Sequence, residues 1–230
     1  MERVSVREGK APIIIYAPHG FHKDDERTAL MAEYMADTLN CYAIINRGWE
    51  RDDSVDCFLD KADCNNVEHC HEDVVKEEIL EPILKFQKRI ARTHQLTYFY
   101  TIHGMSNKHR IISGNDKLDI VIGHGSGNPN SFTCDEWRKN LFMHLLEEAG
   151  LNPAEGKKGG AMSGWARSNM NQLFRKWYHN QSVQGLQIEL IHDLREDDEV
   201  ALLASEYLAA AMQQMLESKS FSTSVSFPVY

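Results

Sequence analysis

Short apolar runs alternate with amphipathic segments along this chain. Strand-length runs lie at 11–17, 41–46, 96–102, 118–123 and 185–191, with a weaker one near 158–162. The fourth opens with Leu118 and the polar Asp119, and its continuous apolar stretch is Ile120-Val121-Ile122. Between the runs, apolar residues recur at helical spacing. Leu30, Met31, Tyr34, Met35 and Leu39 predict a helix over 27–39, and Val75, Ile79, Ile83, Phe86 and Ile90 one over 72–92 that Pro82 should kink. Trp137, Leu141, Leu145 and Ala149 predict a helix over 134–149, with Thr133 and Glu136 as a capping box and Gly150 as a stop. Val200, Leu203, Tyr207, Leu208, Ala211 and Met215 predict a helix over 197–216. Strands alternating with helices predict an α/β domain. The connectors 46–72, 104–117 and 150–184 are long, and long loops in a compact domain are usually functional.

Composition narrows the picture. A chain of 230 residues without repeats or a low-complexity linker suits one domain over 1–230, with the Ser-rich 217–230 as a loosely packed tail. The net charge of -9 and the lack of a basic run argue against nucleic acid and anionic membranes as partners, but leave small anionic substrates open. No apolar stretch is long enough to span a bilayer, and Met1-Glu2-Arg3-Val4-Ser5 carries no apolar signal core. Five cysteines at 41, 57, 64, 70 and 134 form no CxxC pair and read as reduced thiols of a cytoplasmic protein.

The candidate chemistry sits where apolar runs end. Ile13-Ile14-Ile15-Tyr16-Ala17-Pro18 leads into His19-Gly20, and Leu96-Thr97-Tyr98-Phe99-Tyr100-Thr101-Ile102 into His103-Gly104. In open α/β sheets the working groups gather at the carboxyl ends of strands. Either histidine alone equally suits a hydrogen-bonded loop residue; two in the same context reinforce each other. The acids Asp24, Asp25 and Glu26 follow His19 closely enough to complete a metal chelate, and also suit the start of a helix. Glu189 stands between Ile188 and Leu190, where burial would raise its pKa toward that of a general base. An edge strand facing water is the other reading of Glu189.

Other motifs are less specific. Asp63-Cys64-Asn65-Asn66-Val67-Glu68-His69-Cys70-His71-Glu72 is rich in ligand types, but they are too closely packed for a zinc finger, so the segment reads as a loop entering a helix. Gly123-His124-Gly125-Ser126-Gly127 lacks the register of a dinucleotide site and the lysine of a P-loop. No GxSxG elbow is present.

Several segments, in order, resemble the N-formylglutamate amidohydrolase family, which is related to zinc carboxypeptidases and poly-γ-glutamate hydrolases. They are Asp63-Cys64-Asn65-Asn66, Ile102-His103-Gly104-Met105, Asp119-Ile120-Val121-Ile122-Gly123 and Leu186-Gln187-Ile188-Glu189-Leu190. The resemblance spans residues 11–196. It implies a three-layer α/β/α sandwich with a mixed, largely parallel central sheet. It also implies one Zn²⁺ on His19, His103 and one of Asp24, Asp25 and Glu26. Asp25 is chosen because it lies three residues before Thr28, as the acid does in related His-Gly loops. Glu189 becomes the general base; Asn65 and, from among several arginines, Arg167 are taken as the candidate substrate contacts. The family's Asn-Arg pair is Asn65-Asn66 here, so the arginine for a substrate carboxylate must come from elsewhere: Arg47, Arg51, Arg110 or Arg167.

These readings lead to a zinc-dependent hydrolase of an amide or peptide bond in a small-molecule or short-peptide substrate that bears a carboxylate. A non-catalytic ligand-binding protein on a degenerate hydrolase scaffold is the alternative. A metal-independent phosphorylase-like or esterase activity is a third. The same ligand set also suits Fe²⁺ or Mn²⁺.

Overall fold

The apolar runs pair into one seven-stranded sheet. The computed structural model describes residues 2–21 and 23–218. In chain order, β1 (Val4–Arg7) and β2 (Ala11–Ala17) precede α1 (Thr28–Leu39) and β3 (Cys41–Asn46). A long segment leads to α2 (Asp73–Val75), a π-helical stretch over Lys76–Leu80, and α3 (Glu81–Ile90). Then come β4 (Thr97–Met105), α4 (Lys108–Ser113), β5 (Ile120–Gly123), α5 (Glu136–Glu148), β6 (Pro153–Glu155), α6 (Arg175–His179), β7 (Val183–Ile191) and α7 (Asp198–Glu217).

The strand order is β1-β3-β2-β4-β7-β5-β6. Strands β3, β2, β4 and β7 run parallel, β1 pairs antiparallel with β3, and β5 pairs antiparallel with β7. The sheet is thus mixed and largely parallel, with helices on both faces, as the resemblance implied. Central strands buried on both faces read as continuous apolar runs. In β2, Ile13, Ile15 and Ala17 pack with Met31 and Met35 of α1, Phe142 of α5 and Leu208 of α7. Ile14 and Tyr16 face the other layer, with Ile83 and Phe86 of α3 and residues of the long connectors, including Trp49, Cys64 and Met170. This second layer is part helix and part loop, and the site opens there.

Several local expectations are corrected. The weak run at 158–162 is not a strand: Gly159 takes a φ of 73°, Gly160 closes a turn onto the Lys157 carbonyl, and the edge strand forms at Pro153–Glu155 instead. Thr133 does not cap α5: its hydroxyl donates to the Gly185 carbonyl of β7, and Asp135 takes the cap position. The helix expected over 72–92 is interrupted. Pro82 has no N–H to give the preceding turn, and the chain widens into the π stretch just before it. β4 runs on to Met105, so His103 lies inside a strand rather than after one. β1 was not foreseen. α7 ends at Glu217, and the rest of the expected tail, from residue 219 on, lies outside the described residues. No helix among the described residues is long and apolar enough to cross a membrane.

Phe142 is fully buried between α5 and Tyr100 of β4. Phe142→Ala should lower stability by about 3–5 kcal/mol, read from denaturant unfolding. A loss well under that would mean the α5 layer is not packed on the sheet as described.

Candidate metal centre and its cavity

Three neighbouring parallel strands deliver the site. His19 lies two residues beyond β2, while His103 of β4 and Glu189 of β7 are paired in register. The turn after His19 is built tightly. Asn46 donates to the Pro18 carbonyl at 2.7 Å, and a Cβ on Gly20 would lie 2.6 Å from the Asn46 carbonyl oxygen, so this approach needs glycine. The Asp25 N–H donates back to the His19 carbonyl at 3.1 Å. Buried Thr28 donates its hydroxyl to the Asp25 carbonyl at 2.8 Å, which accounts for threonine three residues after the acid. Among the three candidate acids, Asp25 is buried, Asp24 is half-buried against Arg51, and Glu26 is exposed.

The two rings meet edge to face with centroids 5.1 Å apart. Asp25 Oδ2 lies 3.3 Å from His19 Nδ1 and 3.6 Å from His103 Nδ1. One ligand atom from each of His19, Asp25 and His103 fits within a span of 4.8 Å. Two imidazoles and a carboxylate are the usual catalytic zinc set. The other His19 nitrogen, Nε2, lies 2.9 Å from Asp63 Oδ1, and a carboxylate behind a histidine is the arrangement that orients a metal ligand. The Asn65 N–H holds Asp63 in turn at 2.9 Å. By donor type, convergence and support, these residues fit a divalent metal ion. Sequence reasoning missed the part of Asp63, although it opens the Asp-x-Asn segment.

The electrostatics follow from burial and contact. Burial opposes charge on His19, but its bonds with Asp25 and Asp63 outweigh that and raise its pKa to about 9. Burial also works against the Asp25 charge, yet contacts with His103 and His19 hold its carboxyl well below the ordinary range. Glu189 goes the other way: burial raises its pKa, against the pull of His103. Gln187 donates to Glu189 Oε1 at 2.7 Å and accepts from Asn169 Nδ2 at 2.9 Å. Gln187 could have been found from the sequence, being two residues before Glu189 and so on the same face of β7.

These groups open into a cavity of about 370 Å³. Its walls come from all three long connectors, including Arg51, Asn65, His109 and Asn169. Two connectors are stitched together, Val67 N–H to the Ser168 carbonyl at 2.6 Å and Met170 N–H to the Asn65 carbonyl at 2.9 Å. Asn65 Oδ1 is buried without a partner among the described residues. Arg167 is exposed and outside the cavity wall; the arginine in that wall is Arg51.

No protein-family model matches the sequence, and no curated protein does. Solved structures do match. An N-formylglutamate amidohydrolase from Ralstonia eutropha JMP134 superposes with a TM-score of 0.62 at 14% identity, covering 94% of this chain and 98% of that one. The chain has the amidohydrolase–carboxypeptidase fold. A bacteriophage poly-γ-glutamate hydrolase shares this fold with a TM-score of 0.54 at 11% identity, covering 94% of this chain and 90% of its own. A metallo-carboxypeptidase from Burkholderia cenocepacia does so with a TM-score of 0.51 at 13% identity, covering 94% and 65%. At such identities the likeness establishes the fold, and the chemistry rests on the residues of this chain.

A metal ion held by His19 would have to displace its proton. Since that proton is held up to a pH of about 9, zinc affinity should fall as pH drops below it, by about tenfold per pH unit for one displaced proton. Titration calorimetry across a pH series reads this directly, and a flat affinity would remove His19 from the ligand set.

Proposed function

We propose that this protein is a zinc-dependent hydrolase of an amide or peptide bond in a small, carboxylate-bearing substrate. The observation that carries the reading is the buried His19–Asp25–His103 cluster with Glu189 beside it at the floor of one cavity. His19, Asp25 and His103 would hold the ion. When bound, it supplies Lewis-acid activation of the amide carbonyl and of water. Glu189, with its raised pKa and the Gln187 hydrogen bond fixing one oxygen, takes a proton from the attacking water. The water oxygen bonds to the carbonyl carbon, the C–N bond breaks, and Glu189 passes the proton to the departing nitrogen. Asn65 offers its unpartnered Oδ1 to a donor on the substrate. We assign the substrate carboxylate to Arg51, in the cavity wall, in place of the exposed Arg167. Five free cysteines suit the cytoplasm.

The substitution of Asn66 for an arginine keeps a binding-only protein as the second reading. The zinc-loaded chain, presented with N-acyl amino acids and γ-glutamyl peptides, separates the two. Turnover supports the hydrolase; one tightly held zinc with no turnover across the panel supports the binding protein.

Glu189→Gln should retain zinc and fold while lowering kcat by roughly 10²- to 10⁴-fold. Full activity in that variant would remove Glu189 from the chemistry. Burial raises the Glu189 pKa above 4.5, so kcat/KM should be lost on the acid side at a pH above that value.

A further inference from the structure

Three segments that build the site meet on one side chain that no reaction step uses. Arg195 ends a short 3-10 turn, His192–Arg195, directly after β7, and is only 4% exposed. Its Nε donates to the Leu190 carbonyl at 3.3 Å, Nη1 to the Glu26 carbonyl at 2.5 Å, and Nη2 to the Met105 carbonyl at 3.4 Å. Leu190 adjoins Glu189, Glu26 adjoins Asp25, and Met105 lies two residues past His103. One guanidinium therefore ties together the backbones that carry the acid ligand, a histidine ligand and the base.

The surrounding chain is shaped for it. A Cβ on Gly104, the residue between His103 and Met105, would lie 2.4 Å from Arg195 Cζ, so glycine is what lets the guanidinium lie against β4. The tie is also reciprocal. Arg27, in the turn after Asp25, takes a left-handed φ of 65° and donates to the Arg195 carbonyl at 3.0 Å. A left-handed turn at a non-glycine residue persists only where its surroundings hold it. Among the described residues, no carboxylate forms an ion pair with Arg195; the acids it faces are Asp25, Glu26 and Glu189. Burying an arginine without a directly paired carboxylate is unfavourable unless its charge offsets others nearby.

We propose that Arg195 is the positioning residue of this site, setting Asp25, His103 and Glu189 relative to one another while its buried charge offsets the Asp25 and Glu189 carboxylates. The zinc readout below rests on the metal reading above; the exchange readout does not.

The test compares wild type, Arg195→Met, Arg195→Ala, Arg195→Lys and Met212→Ala. Met212 is buried against the other face of the sheet and serves as a destabilised control away from the site. Arg195→Met is expected to weaken zinc binding roughly 10- to 100-fold, with Arg195→Lys between it and wild type. Met212→Ala is expected to lose stability but keep wild-type zinc affinity. Guanidinium ion, but not sodium at the same concentration, is expected to restore zinc binding to Arg195→Ala. In the metal-free proteins, amide exchange at 25–28 and at the end of β4 is expected to quicken in Arg195→Met and not in Met212→Ala.

Unchanged zinc affinity in Arg195→Met, or an equal loss in Met212→Ala, overturns the proposal. If Arg195→Met does not fold, Arg195→Lys faces the same comparison, and wild-type affinity in it overturns the proposal. A wild-type protein that binds no zinc overturns the metal reading instead. Amide exchange then decides on Arg195 alone: quickened exchange confined to the site segments supports it, and unchanged exchange overturns it.

Discussion

The register between β4 and β7 is the constraint on which the site depends. His103 stands opposite Glu189 because Thr97 pairs with Val183 and the ladder continues in step to Met105 and Ile191. A slip of one residue would turn Glu189 into the apolar layer beside α7 and expose a leucine or isoleucine to the cavity. The slip is resisted from both faces. Leu186, Ile188 and Leu190 are locked among the helices on one side, and Gln187 and Glu189 are hydrogen-bonded on the other. The core thus positions the reactive groups as a by-product of packing.

The second organising element is charge crowding. Asp25, Asp63 and Glu189 share a poorly hydrated space that would hold so many carboxylates only at high cost. The structure answers with cationic or cation-accepting groups on each side. His19 is held between Asp25 and Asp63, and Arg195 lies behind the strands. A divalent ion at the His19–Asp25–His103 cluster would meet the same need from the cavity side. The histidine contacts hold the Asp25 carboxyl down, whereas burial outweighs the pull of the same histidines on Glu189 and raises it, so the two carboxyls differ in proton affinity.

Much of this was legible in the sequence because central strands and the groups on them leave strong local patterns. The β2 and β3 boundaries fell where the apolar runs fell. His19, His103 and Glu189 stood out because a polar residue in such a run needs a reason. What was not legible depends on distant partners. Thr133 looks like a helix cap until β7 supplies the Gly185 carbonyl. Arg167 and Arg51 are equivalent as letters, and only the course of the long connectors puts one in the cavity wall and the other outside. β1 and β6 span four and three residues, too short for periodicity to mark.

The division of labour between sheet and connectors has a consequence for how such proteins diversify. The paired strands supply His103 and Glu189, whereas much of the cavity wall comes from the long connectors, two of which are stitched to each other by backbone hydrogen bonds. Lengthening or rewriting a connector reshapes the space that a substrate must fill and leaves the register of the reactive strands intact. Selectivity and reactivity can therefore drift at different speeds in this architecture, so descendants of one scaffold can come to handle unrelated compounds with the same central residues.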